Sequence, residues 1–137
     1  GTAAFQKGDL ETALSQFLKA ARYIHHLTEP TAEDNVVSVS CLSNAGLCQL
    51  KLGDYESAVF SCDQVLEREP NNVKVILRKA LALENDNKLD DAIVVYKHAA
   101  EVAPENPEGL QGAERALKKQ KAEEAKHNAF YQGMFGN

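Results

Sequence analysis

Tryptophan is absent, methionine occurs once and aromatics are few, so any core must rest mainly on aliphatic and small side chains. No apolar run approaches the roughly 20 residues needed to span a bilayer. The opening "GTAAFQKGD" lacks the basic and apolar regions of a signal peptide. Cysteines are scarce and odd in number: Cys41, Cys48 and Cys62 have neither the count nor the spacing of a disulfide framework or a zinc site. They sit in apolar periodic segments and read as small buried residues in a reducing, cytoplasmic compartment. Surplus cations are also missing. The formal net charge of −5 argues against general nucleic-acid binding.

Catalytic patterns are equally scarce. There is no nucleophile–base pair, phosphate-binding glycine loop or metal-ligand spacing. His98 and His127 have no acidic partner in the pattern. His25 and His26, adjacent on a helix, point in different directions and make a poor metal pair. Neither a cofactor, a metal nor catalysis is expected of this chain.

What the sequence does contain is a repeat. Aligning "SNAGLCQLKLGDYESAVFSCDQVLEREPNN" with "LRKALALENDNKLDDAIVVYKHAAEVAPEN" sets Pro70 and Pro104 34 residues apart, and the same spacing joins Tyr55 to Leu89, Ala58 to Ala92 and Gly46 to Ala80. An earlier copy appears in "GDLETALSQFLKAA", with Gly8, Leu10, Ala13, Phe17 and Ala20. Within each copy the apolar period is helical: Leu42, Ala45, Gly46 and Gln49, then Ala58, Cys62, Val65 and Leu66. Gly8, Gly53 and Asn87 fall at equivalent turns between paired helices, where positive φ is cheap. Pro70 and Pro104 stop the second helices. No stretch alternates as a strand.

The pattern predicts an all-α stack of helix pairs, each burying its apolar face on its neighbours. Repeat 1 spans about 1–30, repeat 2 about 37–70 and repeat 3 about 71–104. By register Gly1 falls mid-helix, so the first helix is truncated and the chain is expected to be a fragment of something longer. Thr31, after Pro30, is placed to cap an early start of the next helix. A seventh helix over about 107–131 offers Leu110, Ala113, Ala116 and Leu117 to cover the last repeat. Beyond Leu117 it becomes highly charged and is expected to project into solvent. Its "LKKQK" reads first as a solvated face, with Glu123 and Glu124 close behind; calmodulin or an acidic lipid surface is the alternative.

The stretch "PNNVKVILRKALA" (70–82) carries the candidate site. Lys74 and Arg78 lie four residues apart and share a helix face. That face is nearly opposite Ile76, which with Ala80 and Leu83 is assigned to the core. The two cations then face the concave side lined by the first helices. Asn44 is in register with Arg78, and Ser40 with Lys74; Phe5, Leu47, Leu77 and Leu81 add apolar patches to this groove, and Thr2 falls one turn past the equivalent face of the first copy. Two cations with an amide and hydroxyls suit carboxylates. The competing assignment leaves Lys74 and Arg78 solvated, or paired with Glu67, Glu69 or Glu84.

The 34-residue pattern, over roughly residues 1–106, resembles the tetratricopeptide repeat. That resemblance implies a right-handed superhelix of three helix pairs plus the seventh helix. Two residues depart from it: Lys79 stands at a usually apolar position and Gln49 at a usually aromatic one. The groove resembles the two-carboxylate clamp of tetratricopeptide co-chaperones, which holds the acidic C-terminal Glu-Glu-Val-Asp tail of heat shock protein 90 or 70. The resemblance implies clamp roles for Asn44, Lys74 and Arg78. Thr2 stands where the family has Asn, and the family's first-helix Lys would precede Gly1. Over nearly the whole chain the sequence looks most like the C-terminal domain of FKBP-type immunophilins, through "GTAAFQKGD", the long connection before "CLSNAGLCQLKLGDYESAVFSCDQVLEREPNN", and the ending Tyr131-x-x-Met134-Phe135. "LEREPNNVKVILRKA" and "FYQGMFGN" resemble the membrane-anchored branch. That branch implies an anchor after Asn137 and the cytosolic face of a mitochondrial or endoplasmic reticulum membrane. An upstream peptidyl-prolyl isomerase domain is also implied. The alternatives are a scaffold that binds another helix or peptide through the apolar groove or convex face, and a co-chaperone of the aryl-hydrocarbon-receptor-interacting type.

Overall fold

The computed structural model describes residues 7–27 and 29–135, and within them the chain is helical, with six α-helices and no strand. They are α1 (Lys7–His25), α2 (Ala32–Leu52), α3 (Tyr55–Arg68), α4 (Val73–Asn85), α5 (Leu89–Val102) and α6 (Glu108–Phe135).

Local chemistry sets most of the boundaries. Thr31 caps α2 in a reciprocal box: its Oγ1 accepts from the Asp34 N–H at 3.1 Å, and Asp34 Oδ2 accepts from the Thr31 N–H at 2.8 Å. Gly53 ends α2 with φ 81, and Asn87, with φ 61, occupies the equivalent turn after α4. Asn72 caps α4 through a bond from the Val75 N–H. α3 and α5 end two residues before Pro70 and Pro104. The turn expected at Gly8 is not found. Gly8 lies in the first turn of α1, where its carbonyl accepts from Thr12 Oγ1 in helical register.

Each helix packs on the next along the chain. In addition α2 touches α4 and α4 touches α6, whereas α1, α3 and α5 have no such mutual contacts. Alternate helices therefore crowd together on one side, and the stack curves toward α2, α4 and α6. One buried cluster joins Ala21, Leu42, Cys62, Val65 and Val75; a second joins Ala80, Leu83, Ala92, Tyr96 and Ala113. Ala58 and Ala92 are fully enclosed, as close helix approach requires.

The two departures from the repeat pattern have local solutions. Lys79 extends from the core to Asp63 at 2.7 Å. Gln49 is buried against Ser61, 2.6 Å away; with its amide nitrogen inward it donates to Ser61 Oγ and to the carbonyls of Ala45 and Ser57. A hydrogen-bonded amide thus fills the aromatic position. All three cysteines are free. Burial raises the thiols of Cys48 and Cys62, the latter to about 11, against the opposing charge of Arg78.

Helix α6 docks differently from expectation. Leu110 and Leu117 are exposed, and the face against α5 is Gly109, Gly112, Ala113 and Ala116. A Cβ on Gly109 would stand 2.8 Å from the Ala100 nitrogen. At Gly109 and Gly112 the lack of a side chain is what allows α6 to come this close. Beyond Ala116 nearly every residue of α6 is exposed, so its second half projects from the stack.

Candidate functional site: a cationic groove closed by α6

Lys74, Leu77, Arg78 and Leu81 of α4 share one groove with Leu47 and Leu50 of α2. Its far wall is built by Tyr96 of α5 and by Glu108, Gln111 and Arg115 of α6, and its volume is about 330 Å³. The period-based placement of Lys74, Arg78, Leu47, Leu77 and Leu81 on one surface therefore agrees with the structure. Ser40 and Asn44 are exposed on α2, two turns and one turn before Leu47 respectively, outside the lining of that groove. Thr2 and Phe5 lie outside the described residues.

The two α4 cations differ in environment. Lys74 is exposed and has no ion pair within the described residues. Arg78 is only 8% exposed. Its Nη1 donates to the Ser43 carbonyl at 2.7 Å and contacts Ser43 Oγ at 3.0 Å, which ties α4 to α2. No carboxylate neutralises it among the described residues. No buried side-chain nitrogen there lacks a hydrogen-bond partner, so the rest of the Arg78 guanidinium reaches the open groove. A positive charge in a partly desolvated site, with donors pointing outward, has the chemistry that suits an anion.

Glu84, a conceivable partner for these cations, is committed elsewhere. Its carboxylate accepts from Tyr96 Oη at 2.7 Å, from Arg115 Nε and Nη2 at 2.8 Å each, and from Lys119 Nζ at 2.5 Å. The bidentate bond from Arg115 holds the Glu84 carboxyl down at about 2 in spite of burial. Burial and the bond to Glu84 raise the Tyr96 hydroxyl, and Glu84 raises Arg115. This knot of α4, α5 and α6 has no signature in the sequence, because its members come from three helices with no shared period.

Among the described residues no group of His, Cys, Asp and Glu could hold a metal ion. His25 and His26 stack edge to face at 5.6 Å and are exposed.

Paired helices stacked around a groove lined by alternate helices define a repeat solenoid of the tetratricopeptide class. The tetratricopeptide repeat profile matches residues 49–117, and the chain belongs to that family. Its relatives include the FK506-binding protein-like protein of Homo sapiens, 33% identical over 106 residues (77% of this chain, 30% of the relative). FK506-binding protein 59 of Drosophila melanogaster is 26% identical over 135 residues (98% and 31%), and sperm-associated antigen 1 of Mus musculus 31% identical over 121 residues (86% and 12%). The chain spans less than a third of the length of these relatives. Two solved structures share the fold. The Hsp90 co-chaperone Cns1 from Saccharomyces cerevisiae matches with TM-score 0.70 and 22% identity, over 96% of this chain and 46% of that one. The myosin chaperone UNC-45 from C. elegans, in complex with an Hsp90 peptide, matches with TM-score 0.60 and 24% identity, over 84% and 13%. No helix among the described residues is long and apolar enough to cross a membrane. The relatives lend no support to the membrane-anchored branch.

Proposed function

We infer that this chain is the peptide-docking domain of an FKBP-type co-chaperone and that its groove receives the acidic C-terminal Glu-Glu-Val-Asp tail of heat shock protein 90. In this reading α2–α3 and α4–α5 are the second and third repeats, and an isomerase domain belongs to another part of the longer protein. Lys74 and Arg78 take carboxylates of the tail, with Asn44 and Thr2 as further donors. The observation that carries the reading is Arg78: a buried guanidinium in an acidic chain, bonded to Ser43 and to no acid, with donors open to a groove that also holds Lys74. The FK506-binding relatives support the co-chaperone assignment. The Hsp90 peptide on the similar fold of UNC-45 supports the choice of ligand.

Charge-assisted bonds contribute roughly 1.5–3 kcal/mol each. A few of them, less the cost of ordering the peptide, give a dissociation constant on the order of micromolar. Titration of a labelled tail peptide by fluorescence anisotropy tests this. Lys74→Glu should weaken binding at least tenfold, amidation of the peptide C-terminus should weaken it too, and added salt should do so progressively. Binding indifferent to all three sinks the clamp and transfers the groove to an apolar helix or peptide lying on Leu47, Leu77 and Leu81.

A further inference from the structure

The curvature that gathers α2, α4 and α6 spreads α1 and α3 apart on the outer side of the stack, and a groove of about 310 Å³ opens between them over α2. Short links reverse the chain after α1 and again after α2, so α1 and α3 run the same way. Leu18, Arg22 and His25 form one stripe of α1, and Phe60, Gln64 and Arg68 one stripe of α3, by their spacings of three and four residues. The groove is therefore divided along its length. Leu18 and Phe60 stand toward one end, while Arg22, His25 and Arg68 gather at the other, near the C-termini of both helices. Buried Ala21 and Leu42 make the floor. Phe60, a large aromatic, is 65% exposed. No carboxylate lines the groove. Arg22 and His25 have no ion pair within the described residues; Arg68 donates to the Gln64 carbonyl of its own helix at 3.3 Å and likewise pairs with no acid there. Glu69, next to Arg68 in the chain, accepts instead from Asn72 Nδ2.

The next repeat supplies a comparison. At the 34-residue spacing Leu42, Phe60 and Gln64 correspond to Ile76, Val94 and His98, which line an equivalent outer groove between α3 and α5. There the cation is matched from within, because Lys79 meets Asp63 at 2.7 Å. The α1–α3 groove has the larger apolar side chain and the unmatched charge. We propose that it docks an acidic amphipathic helix of a partner protein, with an apolar side chain between Leu18 and Phe60 and carboxylates on Arg22 and Arg68, beside His25. In a chain of net charge −5, a local cationic patch selects an acidic partner by complementarity. A helix satisfies its own backbone, whereas this surface of side chains has no free strand edge to pair with an extended segment. The four-residue ridge of α3 suits ridge-into-groove packing of a further helix. Phe60 and Arg68 are separated by about 12 Å of helical rise, so the partner's acid stands about two turns from its apolar anchor. This docking is independent of the tail clamp and lies on the opposite side of the stack.

The test uses a designed, labelled helical peptide with Leu and Phe one turn apart and Glu residues two turns beyond, compared by fluorescence anisotropy with a twin carrying Gln in place of Glu. On the 137-residue chain the Glu helix should bind about fivefold more tightly than its twin, a modest gain because the cations are exposed. Arg22→Gln combined with Arg68→Gln should bring the two peptides within about twofold of each other. Lys97→Gln with Lys118→Gln, an equal change of net charge at exposed sites elsewhere, should leave the preference intact. Phe60→Ala should weaken both peptides about fivefold, and Val94→Ala, its counterpart in the next groove, should weaken neither. All of these side chains are exposed, so the variants should keep the helical circular dichroism of the parent. Absence of binding, equal binding of the Glu and Gln helices, or a preference untouched by the arginine changes overturns the proposal. Loss of Glu-helix binding on Lys74→Glu places that helix in the clamp groove and overturns it too, as does capture of anionic vesicles or RNA through Arg22 and Arg68 in place of the helix.

Discussion

Replacing Glu84 by Gln should weaken the chain and loosen α6 first. The carboxylate is almost completely enclosed and accepts hydrogen bonds from three side chains on two other helices. Its carboxyl moves from an ordinary value near 4.5 to about 2 on folding, which corresponds to about 3 kcal/mol in the ionised state. Gln keeps the shape and a bond to Tyr96 but loses the charge. Arg115 and Lys119 are about half exposed and can turn to water, which limits the cost to roughly 2–3 kcal/mol at pH 7. Because the folded carboxyl is depressed, this stability is complete above about pH 5 and is lost as pH falls toward 2. The difference between wild type and Glu84→Gln should therefore shrink to less than half by about pH 3. Urea denaturation followed by circular dichroism at both pH values measures the difference, and using the difference cancels the other carboxylates. Amide exchange should show α6 opening before α2 and α3 in the variant. A penalty below about 0.5 kcal/mol at pH 7, or one that does not change down to pH 3, refutes the assignment of Glu84 as the charged lock of α6.

Three further outcomes are expected. Gly109→Ala sets a methyl against the backbone of Ala100 and Tyr96 and should cost about 1–3 kcal/mol, read as a lowered melting temperature, even though alanine favours helix; no loss would mean that α6 is not packed this closely. Thr31→Ala removes the box at the start of α2 and should cost about 1 kcal/mol by the same assay, whereas Thr31→Ser should be nearly neutral. The raised, buried Cys62 thiol should resist alkylation at pH 8 in the folded chain and react fully in urea, with the half-buried Cys41 labelled first; rapid labelling of folded Cys62 would contradict its enclosure.

Legibility differed by kind of feature. The helix pairs could be read because proline, glycine and asparagine punctuate the chain at a fixed interval, and each acts on its own backbone. Gly53 and Asn87 take the left-handed conformation that the repeat predicts, while Gly8, at the same register, does not. The facing of Lys74, Leu77, Arg78 and Leu81 was legible for a similar reason: within one helix, direction follows from residue number alone. Assigning Leu110 and Leu117 to the docking face of α6 failed because a periodic stripe of large apolar residues marks a contact only when helices stand apart. Here α6 approaches so closely that glycine and alanine make the contact and the leucines face outward.

The sequence by itself therefore determined the all-α repeat, its turns and caps, and the cationic face of α4, all of which depend on neighbours within a turn or on a constant period. Only the tertiary structure decided what those residues meet. It buries Arg78 on Ser43 rather than beside a carboxylate, gives Glu84 to Tyr96, Arg115 and Lys119, and brings α6 round to form the far wall of the groove. Such pairings depend on interhelical distance and on the reach of long side chains across it, and no spacing along a single chain encodes either.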